Sequence, residues 1–183
     1  ALHARKPGAV PALGSLPREL LIALRGDRLV AVLASVVAVE LAYVLVVALF
    51  TPPVDDDSLQ YHLGRSALWL QHGGVTTFDP LYDFRLNAFP INGELVYAFF
   101  LDLGGGDRFV ALTNVLAGVA TTGAVVVGAG RLGLTLREAL FGGLIAASYP
   151  IVALQAPSTL TDLQVAALVT SAVALTLRPA RGD

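Results

Sequence analysis

Cysteine and methionine are both absent from the chain, which excludes disulfide frameworks, thiolate zinc sites and cysteine nucleophiles. A metal here would have to be held by carboxylates and imidazoles. Charge is also scarce: Asp, Glu, Lys and Arg make up 14% of the 183 residues, against about 25% in an average soluble domain. No run of Lys or Arg forms a footprint for DNA or RNA, and the formal net charge of -2 argues against a nucleic-acid partner.

Apolar residues fill the space that charge leaves. The chain is 55% hydrophobic with a mean hydropathy of +0.70, a membrane composition best counted in spans of about 20 apolar residues. The fold class expected is all-α and polytopic, with about four transmembrane helices over 29–50, 109–130, 139–154 and 163–177. Two short interfacial helices, about 57–72 and 94–103, are expected in an outer loop over 51–108.

The first 28 residues read as a basic cytoplasmic leader broken by Pro7, Pro11 and Pro17. The first span is too long for a signal-peptide core, which runs about 7 to 15 residues. Its one charged residue is Glu40, for which a protonated, hydrogen-bonded carboxyl facing the bundle interior is a sufficient explanation. Thr51-Pro52-Pro53 ends the helix, since proline lacks a donor and clashes with the preceding turn. The chain opens on Ala1 and stops at 178–183 soon after an apolar segment, the pattern expected of a piece of a larger membrane protein.

Three consecutive carboxylates, Asp55, Asp56 and Asp57, follow the first span. After them Leu59, Leu63, Ala67 and Leu70 mark one helical face, and Asp57 with Gln60 has the spacing of a capping box. The opposite face carries Gln60, His62, Arg65 and Gln71, so this helix is expected to lie in the interface plane, with Trp69 at headgroup depth. The loop 75–92 is long enough to favour a functional role over a mere connection.

Orientation follows from the positive charges. With the N-terminus cytoplasmic, nine Lys and Arg residues lie inside and only Arg65, Arg85 and Arg108 outside. The same orientation puts the triple-Asp turn and Asp162 on one outer face. Paired carboxylates there suit a general base or a divalent cation. Asp57 equally suits a helix N-cap worth about 1 kcal/mol, with Asp55 and Asp56 solvated. Asp162 equally suits a cap favoured by the helix dipole, and His62 a hydrogen-bonded surface position. Arg65 and Arg85 have the fork geometry for phosphate, although Asp79 or Asp83 could pair with either.

Several stretches together carry a resemblance: Asp57-Ser58-Leu59-Gln60-Tyr61-His62-Leu63-Gly64-Arg65, then Trp69-Leu70-Gln71-His72-Gly73, Arg85, Phe89-Pro90-Ile91-Asn92-Gly93-Glu94, and Gln155-Ala156-Pro157-Ser158-Thr159-Leu160-Thr161-Asp162. The order resembles the N-terminal part of bacterial GT-C-type glycosyltransferases of family 39, the protein O-mannosyltransferase and aminoarabinose-transferase relatives, over about 29–177. The resemblance implies Asp57 and Asp162 as the two outer-loop acids, catalytic or metal-associated through Mg or Mn, with Asp56 a neighbouring candidate. It implies Tyr61, His62, Arg65, Arg85 and Glu94 as substrate-binding residues, Arg85 facing lipid phosphate. Gly64 stands where relatives commonly carry Pro.

The implied activity is inverting sugar transfer from a polyprenyl-phosphate donor to a hydroxyl of an acceptor lipid, glycan or protein, at the outer face of a bacterial plasma membrane. The family's further spans and C-terminal domain lie beyond this chain, so the chain alone is expected to be inactive. The rival expectation is a noncatalytic membrane protein, a transporter fragment or an interaction module. A transporter would set its polar groups near the bilayer midplane.

Overall fold

The structure, a computed structural model, describes residues 16–79 and 83–178. The expected leader residues up to 15, with Arg5 and Lys6, and the end 179–183, with Arg181, lie outside the described residues. Among those described the fold is all-helical: α1 (Leu16–Gly26), α2 (Arg28–Phe50), α3 (Leu63–His72), α4 (Arg85–Ala88), α5 (Asn92–Gly104), α6 (Leu112–Arg131), α7 (Leu136–Ala147), α8 (Pro150–Gln155) and α9 (Asp162–Thr176). A π-helical turn, Ser58–His62, runs directly into α3.

Two helices are long and apolar enough to cross a membrane, Arg28–Phe50 and Asp107–Arg131. The other two expected spans differ. The stretch 139–154 is two helices, because Pro150 cannot continue α7 and instead opens α8 as its first residue. The last helix has 15 residues, about 22 Å at 1.5 Å per residue, shorter than a hydrocarbon core of about 30 Å. Two shorter features were unanticipated: α1, over part of the presumed leader, and α4, a single turn in the 75–92 loop.

The packing centres on α6. Val44 and Ala48 of α2, Val115 and Ala117 of α6, Ala156 at the end of α8 and Leu163 of α9 form one core. Small residues set its spacing, as membrane helices require for close backbone approach: a Cβ on Gly143 of α7 would lie 2.5 Å from Val126 Cγ2 of α6. Glu40 faces inward as expected and lines an apolar cavity of about 210 Å³ with Val44, Val115, Thr122, Val152 and Ala156. No hydrogen bond to Glu40 occurs among the described residues, and Thr122 donates to the Gly118 carbonyl instead.

The basic end of the bundle is tied together by local chemistry. Asp27 caps α2 by accepting from the amides of Leu29 (2.8 Å) and Val30 (3.2 Å) and pairs with Arg137 at the start of α7. Arg137 thereby holds the Asp27 carboxyl below its ordinary range. Arg131 donates to the carbonyls of Leu175 (2.7 Å) and Leu177 (3.1 Å), where a cation is favoured by the unsatisfied C-terminus of α9. Thr135 and Glu138 complete a capping box at α7. The acidic turn, the start of α6 and the start of α9 gather at the opposite end.

Candidate functional site

The helix after the acidic turn divides the face expected to be wet: His62 and Arg65 are buried, with Ser58, Tyr61, Ser66 and Trp69, while Gln60 and Gln71 are exposed. The expected apolar face divides too, Leu63 being buried while Leu59 is 56% exposed and Leu70 is exposed. Trp69, expected at headgroup depth, instead donates its indole N–H to the Thr76 carbonyl at 2.8 Å from a buried position. With His62 and Arg65 turned inward and Leu59 and Leu70 outward, the helix suits surroundings that are themselves apolar.

The N-terminus also differs from expectation. Asp55, rather than Asp57, does the capping: it accepts from the Ser58 amide at 2.8 Å and from the Ser58 hydroxyl at 2.5 Å. Asp57 makes no capping bond, because positions 56 and 57 are already helical, and Gln60 reaches back to Asp56. The expected capping box is therefore absent, and Asp55 is not simply solvated. The wider turn of the π segment, in which the Leu63 amide bonds to the Ser58 carbonyl, is a feature often found at functional sites.

Behind that turn lies a buried ionic cluster. His62 Nδ1 is 2.7 Å from Glu94 Oε1, and Arg65 Nη1 lies 3.9 Å from the same oxygen. Arg65 is fully buried and donates to the carbonyls of Phe89 (3.0 Å) and Arg85. It clamps the 85–90 loop onto α3, so the reading of Arg65 as a group facing substrate is corrected: its side chain is fully buried and Nη1 and Nη2 bond loop carbonyls. Ser66 bonds the Glu94 carbonyl at 2.9 Å. Two polar atoms in the cluster, Glu94 Oε2 and Arg65 Nε, have no partner.

Arg85 sits nearer the surface. Its guanidinium bonds both Asp83 oxygens (Nε at 3.1 and 3.0 Å), Asp57 Oδ1 at 3.0 Å and the Gln60 amide oxygen, and lies 4.8 Å from the Tyr61 ring centroid. With a second bond from Nη2 to Asp83 at 2.8 Å, these contacts engage four of the five N–H groups an arginine carries and leave one on Nη1. The ion pair holds the Asp83 carboxyl below its usual range and raises Arg85, chiefly through their mutual hydrogen bonds. Burial, and then the Asp57 charge beside it, push the Tyr61 phenol up.

The second acidic loop is brought to the first. Thr159 donates to Ser58 Oγ from its amide (3.1 Å) and its hydroxyl (2.6 Å). From α6, Asn114 donates to the carbonyls of Ser158 (3.0 Å) and Leu160 (2.6 Å), fixing the turn before α9. Gln164 donates to the Tyr97 hydroxyl at 2.7 Å and to Asn114 Oδ1 at 3.2 Å, and burial pushes the Tyr97 phenol well above its ordinary range. Neither Asn114 nor Gln164 was singled out from sequence; the available signal was an amide inside an otherwise apolar helix, which must find partners when no water can reach it. Asp162 is oriented by the Gln155 amide at 2.8 Å.

Between these parts a cavity of about 290 Å³ opens, lined by Tyr61 and His62, by Phe89, Pro90, Asn92, Gly93 and Glu94, and by Thr161, Gln164, Val165 and Leu168 of the α9 region. Gly93 is needed there: a Cβ would fall 2.4 Å from Thr161 Cγ2. Tyr61, His62 and Glu94 thus share one cavity, whereas Asp57, Asp56, Arg85 and Asp162 stand outside its lining. No family model, curated protein or solved structure matches this chain.

Asp57 holds Arg85 through Oδ1 and Asp162 holds the Gln155 amide through Oδ2, so each carboxylate keeps its second oxygen uncommitted among the described residues. Among the described residues no group of three or more His, Asp or Glu side chains is arranged to hold a metal ion.

Proposed function

We propose that the chain is the N-terminal membrane part of a glycosyltransferase that moves a sugar from a polyprenyl-phosphate donor to an acceptor hydroxyl at the outer face of a bacterial plasma membrane. In this reading the bundle is multi-pass, with α2 and α6 crossing the bilayer and the α7–α8 unit and α9 packed beside α6, and the basic end is cytoplasmic. The supporting observation is the arrangement at the acidic end: Arg85 keeps one N–H to spare beside Tyr61, and Tyr61 in turn borders a largely apolar cavity that holds a few polar side chains, with Val165 and Leu168 of α9 on one side. A half-buried guanidinium with an N–H to spare suits a lipid phosphate.

The roles follow from the contacts. Arg85 takes the donor phosphate and stabilises the charge that grows on it as the sugar leaves, the kind of electrostatic help that is usually the largest contribution in such reactions. Asp57, with Asp83, orients Arg85; since one Asp57 oxygen is committed to that pair and the Tyr61 phenol lies against the carboxylate, its strongest role is electrostatic. Asp56 orients Gln60, which also bonds Arg85. Asp162, held by Gln155 at the mouth of α9, lies on the acceptor side. A transporter reading would want these groups at midplane, and of the acidic residues discussed only Glu40 lies near the middle of a long apolar helix.

The test is donor binding. The protein in lipid nanodiscs is titrated with undecaprenyl phosphate or undecaprenol while the fluorescence of Trp69, the chain's one tryptophan, is followed. A saturable response to the phosphate, weakened at least tenfold in Arg85→Ala, is expected. Equal responses to the two lipids, or none, would contradict the reading.

A further inference from the structure

The cavity between the π turn, the 89–94 segment and α9 is polar at its floor and apolar at its rim. His62 and Glu94 line the floor, Gln164 stands beside them half-buried, and Asn92 lies at the exposed edge. Gln164 spends its amide N–H groups on Tyr97 and Asn114, and its Oε1 is on the Gly93 side, 3.4 Å from where a Gly93 Cβ would stand. Glu94 Oε2 is buried and unpartnered. Glu94 Oε2 is sealed from the cavity, so the acceptors that face it are Gln164 Oε1 and the second nitrogen of His62, a pair suited to a hydroxyl donor.

A cationic head is not called for, because Arg65 already stands 3.9 Å from the Glu94 carboxylate. An uncharged hydroxyl meets the remaining need. The rim decides how it arrives: Val165 and Leu168 are 56% and 73% exposed, on a helix whose outward surface faces lipid in the reading above, so the cavity is entered sideways from the bilayer.

We propose that this cavity holds the hydroxyl of an uncharged membrane amphiphile against the His62–Glu94 pair, which serves as the proton acceptor when that hydroxyl attacks the sugar. The inference rests on the glycosyl-transfer reading for its chemical step and names the acceptor class. With Nδ1 donating to Glu94 Oε1, His62 Nε2 keeps its lone pair; it has no partner among the described residues, yet it is not sealed from the cavity as Glu94 Oε2 is. A carboxylate on one imidazole nitrogen fixes the ring and leaves the other as a general base. The step balances: the acceptor O–H proton passes to Nε2, the oxygen pair forms the bond to the anomeric carbon, and the anomeric carbon–oxygen bond breaks with its electrons going to the departing lipid phosphate. The resulting imidazolium lies beside Glu94 and between the Tyr61 and Tyr97 rings, whose centroids are 4.2 and 6.4 Å away.

The experiment is photolabelling with dioctanoylglycerol carrying a diazirine on one chain, applied to the full-length protein in nanodiscs, with adducts mapped by mass spectrometry. Adducts are expected at 89–93 and 161–168, reduced at least tenfold by unlabelled dioctanoylglycerol and by Val165→Trp, which plugs the exposed rim without touching the buried cluster. Competition by dioctanoyl phosphatidic acid or by dioctanoyl trimethylammonium-propane, or adducts spread over the outward faces of α2 and α6 alone, would overturn the site. His62→Gln is expected to keep the adducts and to lose sugar transfer by a factor on the order of 10² or more; wild-type transfer in that variant would overturn the proton role. Cavity adducts without transfer by any form of the protein support the site and defeat the transfer reading, whereas transfer without cavity adducts does the reverse.

Discussion

Thr159 makes two hydrogen bonds to one oxygen, the Ser58 hydroxyl, from its amide at 3.1 Å and from its own hydroxyl at 2.6 Å. Ser58 is itself capped by Asp55. Through this one side chain the acidic turn after α2 and the turn before α9 become a single surface, about a hundred residues apart in sequence.

Ser58→Ala removes the acceptor for both Thr159 bonds while leaving the amide buried. A lost partner to a buried donor costs about 1–3 kcal/mol, so the thermal unfolding midpoint in detergent should fall measurably. Thr159→Val, which deletes only the hydroxyl, should cost less.

The Arg85 arrangement has an acid limit. Because hydrogen bonds from Arg85 hold the Asp83 carboxyl below the ordinary aspartate value of 3.8, its contribution is present above that value and is lost as pH falls through the lower, folded pKa. Trp69 fluorescence, read near the 76–89 loop, should therefore show a reversible step below pH 3.8, and Asp83→Asn should abolish it. A step at the same pH in Asp83→Asn would assign the transition elsewhere.

Glu40 lines an apolar cavity and has no hydrogen bond among the described residues. Glu40 is only partly buried, so relieving its unpartnered carboxyl gains at most the ~1–3 kcal/mol that burying such a group costs. Glu40→Leu should accordingly raise the unfolding midpoint and leave the photolabelling of the other cavity unchanged.

Gly93 is the tightest point of the site. Gly93→Ala sets a methyl against Thr161 Cγ2, and overpacking of this kind costs about 1–3 kcal/mol. Labelling at 161–168 should fall; adding Thr161→Ser, which removes the opposing methyl, should restore it.

The long helices were legible because an unbroken apolar run admits few other structures, and α2 and α6 fall within a residue or three of the stretches read for them. The short helix at 63–72 was legible in extent but not in orientation. Its polar residues look like a wet face only when water is assumed outside; with apolar surroundings Arg65 and His62 turn inward, where Glu94 and loop carbonyls await them. The break at Pro150 was visible as a proline, yet hydropathy across 139–154 masked it. Asn114 and Gln164 went unnoticed because a neutral amide carries little weight in a composition reading, although each holds a carbonyl or hydroxyl from another element. Asp57 was legible as a residue of interest, but its partner Arg85, 28 positions away, is what defines its role.

Sugar transfer dependent on the Asp57–Arg85 pair is tested most directly by supplying a radiolabelled polyprenyl-phosphate hexose to membranes from cells expressing the full-length protein or its Asp57→Asn variant, at matched expression, and measuring label moved to lipid and to other acceptors. Donor-dependent transfer that drops on the order of 10²-fold in Asp57→Asn, as expected when an electrostatic contribution to the reacting centre is lost, is the predicted result. Absence of transfer above membranes lacking the protein, or undiminished transfer by the variant, would contradict it.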